Sequence, residues 1–115
     1  MDGNNSKAFL LQRIKKYKVK KLVFNSSDLK TNSILNDLNG ENPDLIVLAG
    51  FLKKMPESII NSFSKKIINI HPSLLPKYKG LNTHERVLKN KEKFSGCTVH
   101  FVTENLDSGK IIMQK

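Results

Sequence analysis

The sequence predicts an α/β domain: an open, mainly parallel, twisted sheet with helices on both faces. Two observations carry that expectation. Strand-like apolar runs alternate along the chain with segments of helical periodicity. One of the runs, Leu45-Ile-Val-Leu-Ala49, is apolar without interruption, as expected of a strand covered on both sides. The 115 residues, 38% hydrophobic and 26% charged, suffice for one compact domain with a single core.

The elements follow in order. Residues 6–18 place Ala8, Phe9, Leu10, Leu11, Ile14 and Tyr17 at spacings of three and four with lysines on the other face, the pattern of an amphipathic helix. Residues 19–24 contain Leu22, Val23 and Phe24 and run into the turn chemistry of Asn25, Ser26, Ser27 and Asp28, which predicts a short strand. A second helix is expected over residues 31–38, ended near Gly40. The apolar strand spans residues 44–51 and closes on Gly50. Pro56 opens a helix through Ile59, Ile60 and Phe63, because a proline at the first helical position forfeits no hydrogen bond. Residues 66–70 form the next strand, halted by Pro72. A helix over residues 82–90, a strand over 96–103 and the start of another over 111–114 complete the reading.

Composition narrows the function classes. No apolar stretch approaches the about 20 residues needed to span a bilayer, and residues 1–7 lack the apolar core of a signal peptide, so a cytoplasmic protein is expected. The single cysteine, Cys97, cannot form an internal disulfide and lies in a strand-like run, where it reads as packing. A net charge of +10, from 20 Lys plus Arg against 10 Asp plus Glu, favours anionic ligands. Only Arg13 and Arg86 among these cations are arginines and there is no Trp, which leaves little material for reading base edges or stacking bases. Nucleic acid is therefore not an expected partner, and no membrane is. His71, His84 and His100 show no zinc-type spacing and Cys97 has no nearby partner, so no metal is expected. His100, alternating with apolar residues, reads as packing, and His84 as capping or lining the helix after Gly80.

In open α/β sheets ligands sit beyond the carboxyl ends of the strands. The stretch Ile67-Ile-Asn-Ile-His-Pro-Ser73 puts Asn69 and His71 two residues apart at such an end, so both side chains project from one face. Pro72 stiffens the exit. Histidine exchanges protons near neutrality, and an asparagine amide donates to a developing oxyanion without titrating, a combination suited to acyl-type transfer. Taken alone, the pair reads more readily as a strand end at which both side chains satisfy backbone groups. Asp107, after the next strand, would favour the protonated imidazole if it reached His71. An Asp two residues before a Gly is also ordinary turn chemistry.

A longer composite pattern joins these pieces. Asp44-Leu-Ile-Val-Leu-Ala-Gly-Phe51 is followed by Asn69-Ile-His-Pro-Ser-Leu-Leu-Pro-Lys-Tyr78, Gly80-Leu-Asn-Thr-His84 and Val99-His-Phe-Val-Thr-Glu-Asn-Leu-Asp107. Over residues 44–114 this order and spacing resembles the phosphoribosylglycinamide formyltransferases of purine synthesis, whose fold is Rossmann-like. The resemblance implies transfer of a formyl group from 10-formyltetrahydrofolate, as co-substrate, to the amine of glycinamide ribonucleotide. It implies His71 as proton donor, Asn69 as the group that stabilises the tetrahedral intermediate, and Asp107 as the residue that favours the protonated His71 and positions water. Leu52, Lys53, Lys54 and Met55, with Asn69, match the folate-binding positions.

Methionyl-tRNA formyltransferase and formyltetrahydrofolate hydrolase resemble the same Asn-x-His-Pro-Ser core, and the Gly80-Leu-x-Thr-His84 run favours the purine enzyme. The family's first strand and its Gly- and Ser-rich phosphate-gripping loop have no counterpart here, and the chain stops soon after Asp107. The expectation is a single catalytic-core domain over residues 1–115, truncated at both ends, with an incomplete sheet. A non-catalytic remnant completed by a partner chain, or a homo-oligomer, is compatible with it. Asn82 replaces a usual histidine, Lys79 a proline, and Ser108 and Lys110 a glycine and a proline. The arginine expected before Asp44 has no clear match beyond Lys30.

Overall fold

The computed structural model describes residues 31–51 and 53–115, together with Arg13, Tyr17, Lys20, residues 22–24, Ser27 and Asp28. The helix expected over 6–18 and most of the strand expected over 19–24 lie outside the described residues, as does Leu52.

Among the described residues the order is α1 (Ser33–Glu41), β1 (Ile46–Ala49), α2 (Glu57–Ser62), β2 (Ile67–His71), α3 (Thr83–Lys89), β3 (Thr98–Phe101) and β4 (Ile111–Gln114). Each strand lies within two residues of its predicted bounds. Helix α1 continues through Gly40 because Asn42, not the glycine, takes the left-handed cap conformation (φ 47°) and donates its N–H to Leu38 O. Pro43 then prevents continuation. Pro56 caps α2 one position outside the helix, its carbonyl receiving the N–H groups of Ile59 and Ile60.

The four strands form one sheet in the order β1-β2-β3-β4. The α/β class holds, but this sheet is mixed rather than mainly parallel. β1 and β2 run parallel across α2, whereas β2 pairs antiparallel with β3, and β3 with β4. The reason lies in the connection after β2. His71, the last residue of β2, pairs with Thr98, the first of β3. The chain through α3 therefore re-enters the sheet at the end where it left, and the returning strand has to run backwards.

Among the described residues the sheet has one buried face. Leu48, Ile67, Asn69, His71, Thr98 and His100 are buried and lie at alternating, register-matched positions. Leu48 and Ile67 pack with Ile59 and Phe63, and Ile34, Leu35 and Leu38 of α1 close over the same cluster. On the other face Val47 and Ile70 are both 42% exposed, so the expected coverage of β1 on both faces is not met among the described residues. The apolar residues thus gather at one end of the buried face, and the polar Asn69, His71, Thr98 and His100 at the other. No helix of the described residues is long and apolar enough to cross a membrane.

Two residues of β2 test this division. Ile67 is 1% exposed and Ile70 42%. Ile67→Ala should lower the unfolding free energy by about 2–5 kcal/mol, and Ile70→Ala by no more than about 1 kcal/mol. Urea unfolding of both variants measures the difference, and equal losses would contradict a one-sided core.

Candidate active site

The alternation of β2 delivers Asn69 and His71 to the same buried face, as the spacing predicts. The cross-strand register then adds partners that the spacing cannot specify. Asn69 faces His100 and His71 faces Thr98.

The environment of His71 decides which ring nitrogen carries the hydrogen. Nε2 lies 2.8 Å from the carbonyl oxygen of Tyr78, which only accepts, so Nε2 carries the hydrogen and donates it. Nδ1 is left with a lone pair. It lies 3.5 Å from Oδ2 of Asp107, whose side chain is 7% exposed. The same Oδ2 receives the backbone N–H of Gly80 at 2.8 Å, and Oδ1 lies 3.9 Å from Nε2 of His100. Asp107 therefore reaches His71 and touches His100 as well.

The segment between β2 and α3 holds these contacts by its own polar bonds. Thr98 Oγ1 donates to Ser73 O and accepts from the N–H of Leu75, and Ser73 Oγ donates to Lys77 O. Arg86 donates to the carbonyls of Lys79 and Leu81 and stacks over the Tyr78 ring at 5.3 Å. Tyr78, Gly80 and Asn82 all have positive φ. Glycine adopts this conformation without strain and asparagine tolerates it, whereas at a tyrosine it costs free energy that the surrounding bonds offset. Lys79 donates to Ser108 Oγ at 3.0 Å, so two positions that depart from the formyltransferase pattern bond to each other, one on each side of Gly80 and Asp107.

A cleft beside this cluster is lined by Phe51, Lys53, Lys54, Met55, Asn69 and Asp107. Lys53, Lys54 and Met55 therefore line the same cleft as Asn69 and Asp107. The buried oxygen Oδ1 of Asn69 has no hydrogen-bond partner among the described residues.

Comparison with known proteins now adds to this geometry. A family model described as formyl transferase matches residues 4–115. The chain belongs to the formyl transferase family. Phosphoribosylglycinamide formyltransferase of Haemophilus influenzae is 40% identical over 117 residues, covering 97% of this chain and 55% of the relative. That of Escherichia coli is 39% identical over 92 residues, covering 80% and 43%. A crystal structure of the enzyme of that name from Anaplasma phagocytophilum superposes with a TM-score of 0.88 at 42% identity, over 96% of this chain and 54% of that one. The chain thus spans about half the length of the bacterial relatives it matches.

Sequence reasoning missed several parts of this candidate site. His100 reads as packing but is in the cluster. Thr98 gives no signal beyond its place in a strand. The Tyr78 contribution is a carbonyl, which no side-chain pattern encodes. Gly109 was legible only as a turn residue, yet a Cβ there would run into the Phe101 carbonyl oxygen.

Two predictions follow from these supports. Gly109→Ala should cost about 1–3 kcal/mol, because the clash is with backbone, whereas Ser108→Gly should stay within about 0.5 kcal/mol; urea unfolding reads both. The second concerns Glu92, which accepts from the Tyr78 hydroxyl at 2.9 Å and from Lys77 at 3.3 Å. The hydrogen bond from Tyr78, and then Lys77, hold the Glu92 carboxyl below its ordinary range. A depressed folded value means the tether is present at neutral pH and is lost as pH falls through that value. Tyr78→Phe should raise the Glu92 pKa toward its usual range in an NMR titration, and an unmoved titration would show that the hydroxyl does not bind there.

Proposed function

We propose that this protein transfers a formyl group from 10-formyltetrahydrofolate to the amine of glycinamide ribonucleotide, a small-molecule reaction of one-carbon metabolism and purine biosynthesis in the cytoplasm. The observation that carries the reading is the convergence of Asn69, His71 and Asp107 at the carboxyl end of β2, in a formyl transferase chain with phosphoribosylglycinamide formyltransferase relatives. The residues fit a folate. Phe51 and Met55 give the cleft apolar walls, Lys53 and Lys54 lie along it, and the buried Asn69 amide has bonding capacity unused by the described residues. The bound folate supplies a formyl group attached to a nitrogen leaving group.

Each side chain then has a distinct task. The Asn69 amide donates an N–H to the formyl oxygen as negative charge develops there, inside a site from which water is largely excluded. His71, held by Nε2–H on the Tyr78 carbonyl, uses Nδ1 to exchange the proton that must pass from the attacking amine to the departing nitrogen. Asp107 supports the imidazolium that forms in this exchange. Its orientation is set by the Gly80 N–H, so the carboxylate is in place before substrates arrive. Lys53, Lys54 and Met55, together with Leu52, hold the pterin end of the folate through main-chain groups.

Removing the proton-exchanging ring or its carboxylate should affect turnover far more than binding. His71→Ala and Asp107→Asn should each lower kcat by roughly a hundred- to ten-thousand-fold, while leaving the affinity for 10-formyl-5,8-dideazafolate nearly unchanged. Calorimetry with that analogue and a transfer assay with glycinamide ribonucleotide measure the two quantities. A folded chain that neither binds the analogue nor transfers the formyl group would overturn the proposal.

A further inference from the structure

His100 and Asn69 face each other across the β2–β3 ladder, 3% and 9% exposed respectively. Their hydrogen bonds determine which end of the Asn69 amide points where. Nδ1 of His100 lies 2.8 Å from the carbonyl oxygen of Phe101, an acceptor only, so Nδ1 carries the hydrogen. In that tautomer Nε2 offers a lone pair, and it lies 3.3 Å from Nδ2 of Asn69. The amide nitrogen is thereby bound to His100 and the amide oxygen is turned away. That oxygen is buried without a partner among the described residues, an arrangement as unfavourable as a lost hydrogen bond unless something fills it. Asn69 lines the cleft, where a ligand can do so.

We propose that His100 is a positioning residue that locks the Asn69 amide, so that its oxygen Oδ1 accepts a hydrogen bond from the nucleophilic amine of the acceptor while its second N–H serves the formyl oxygen. The inference rests on the formyl-transfer reading and deepens it. The acceptor nitrogen uses its lone pair to form the N–C bond, and the carbonyl π pair moves onto the formyl oxygen. That pair returns as the bond to the donor's nitrogen breaks, and the proton lost by the acceptor ends on the departing nitrogen. Positive charge builds on the acceptor nitrogen during attack, which strengthens its N–H groups as donors. An amide oxygen aimed at them therefore gains interaction as the reaction proceeds, and it also directs the lone pair toward the carbonyl carbon. Asn69 takes no proton, because an amide oxygen is too weak a base.

The opposite orientation is physically defined. If both His100 nitrogens carried hydrogen, Nε2–H would face Asp107 Oδ1, 3.9 Å away, and Asn69 would turn its oxygen toward the ring. Nitrogen-15 NMR of the full chain labelled in histidine separates the two without any substrate. The expected spectrum has His100 hydrogen-bearing at Nδ1 and bare at Nε2; a hydrogen-bearing Nε2 overturns the proposal.

Kinetics supply the second arm. His100→Phe should lower kcat by roughly 10- to 100-fold, the usual effect of losing a supporting partner, with the KM for the folate little changed. His100→Gln, whose terminal oxygen stands near the Nε2 position, should restore much of the loss. In an Asn69→Ala background His100→Phe should have little further effect, because the amide through which it acts is gone. Multiplicative losses in the double variant would overturn the positioning role. If the unmodified chain transferred no formyl group at all, the formyl-transfer reading would fail, and the nitrogen spectrum would still decide the orientation of the amide.

Discussion

The carboxylate of Asp107 is the constraint on which the rest of the site depends. A charge that is 7% exposed has given up most of its water, and a protein tolerates it only where donors replace the lost hydration. Here the Gly80 N–H donates to it, the His71 ring lies 3.5 Å away and donates when protonated, and the His100 ring closes a third side at 3.9 Å. Each comes from a different segment: the connection after β2, the end of β2 and the middle of β3. Packing around one buried carboxylate therefore brings three pieces of chain together.

The same requirement accounts for the strained backbone around it. Asp107 has φ 49° and Tyr78 φ 58°, conformations that L-residues rarely adopt. At Tyr78 the left-handed turn accompanies a carbonyl aimed at His71 Nε2, and two residues on the Gly80 N–H meets the carboxylate. The bonds from Ser73 and Arg86 are local and that from Thr98 crosses over from β3, and together they prevent the segment from relaxing into an easier geometry. The strain is therefore tied to the placement of the ring and the carboxylate, which these bonds hold in one arrangement.

A division of labour runs through the sheet. Leu48 and Ile67 anchor it to α1 and α2 through an apolar cluster, and one or two residues further along the same face the side chains become polar. This asymmetry follows from the pairing. Because β3 returns antiparallel against the end of β2, the polar residues of both strands are stacked at one place instead of being spread over the face. A parallel β3 would have carried His100 and Thr98 into a different register.

By itself the sequence determined the α/β class, the existence and bounds of most elements, the placement of Asn69 and His71 on one face, and the formyl transferase resemblance. These are set by local spacing: a period of two along a strand, a period near four along a helix, a proline at an end. Tertiary structure alone decided that the sheet is mixed, that Asp107 reaches His71, and that His100 and Thr98 belong to the site. It also supplied the Tyr78 carbonyl that fixes the hydrogen of His71 on Nε2. Periodicity reports which way a side chain points relative to its neighbours in the chain, whereas these contacts join residues 7 to 36 positions apart through strand register and backbone geometry, which no local pattern encodes.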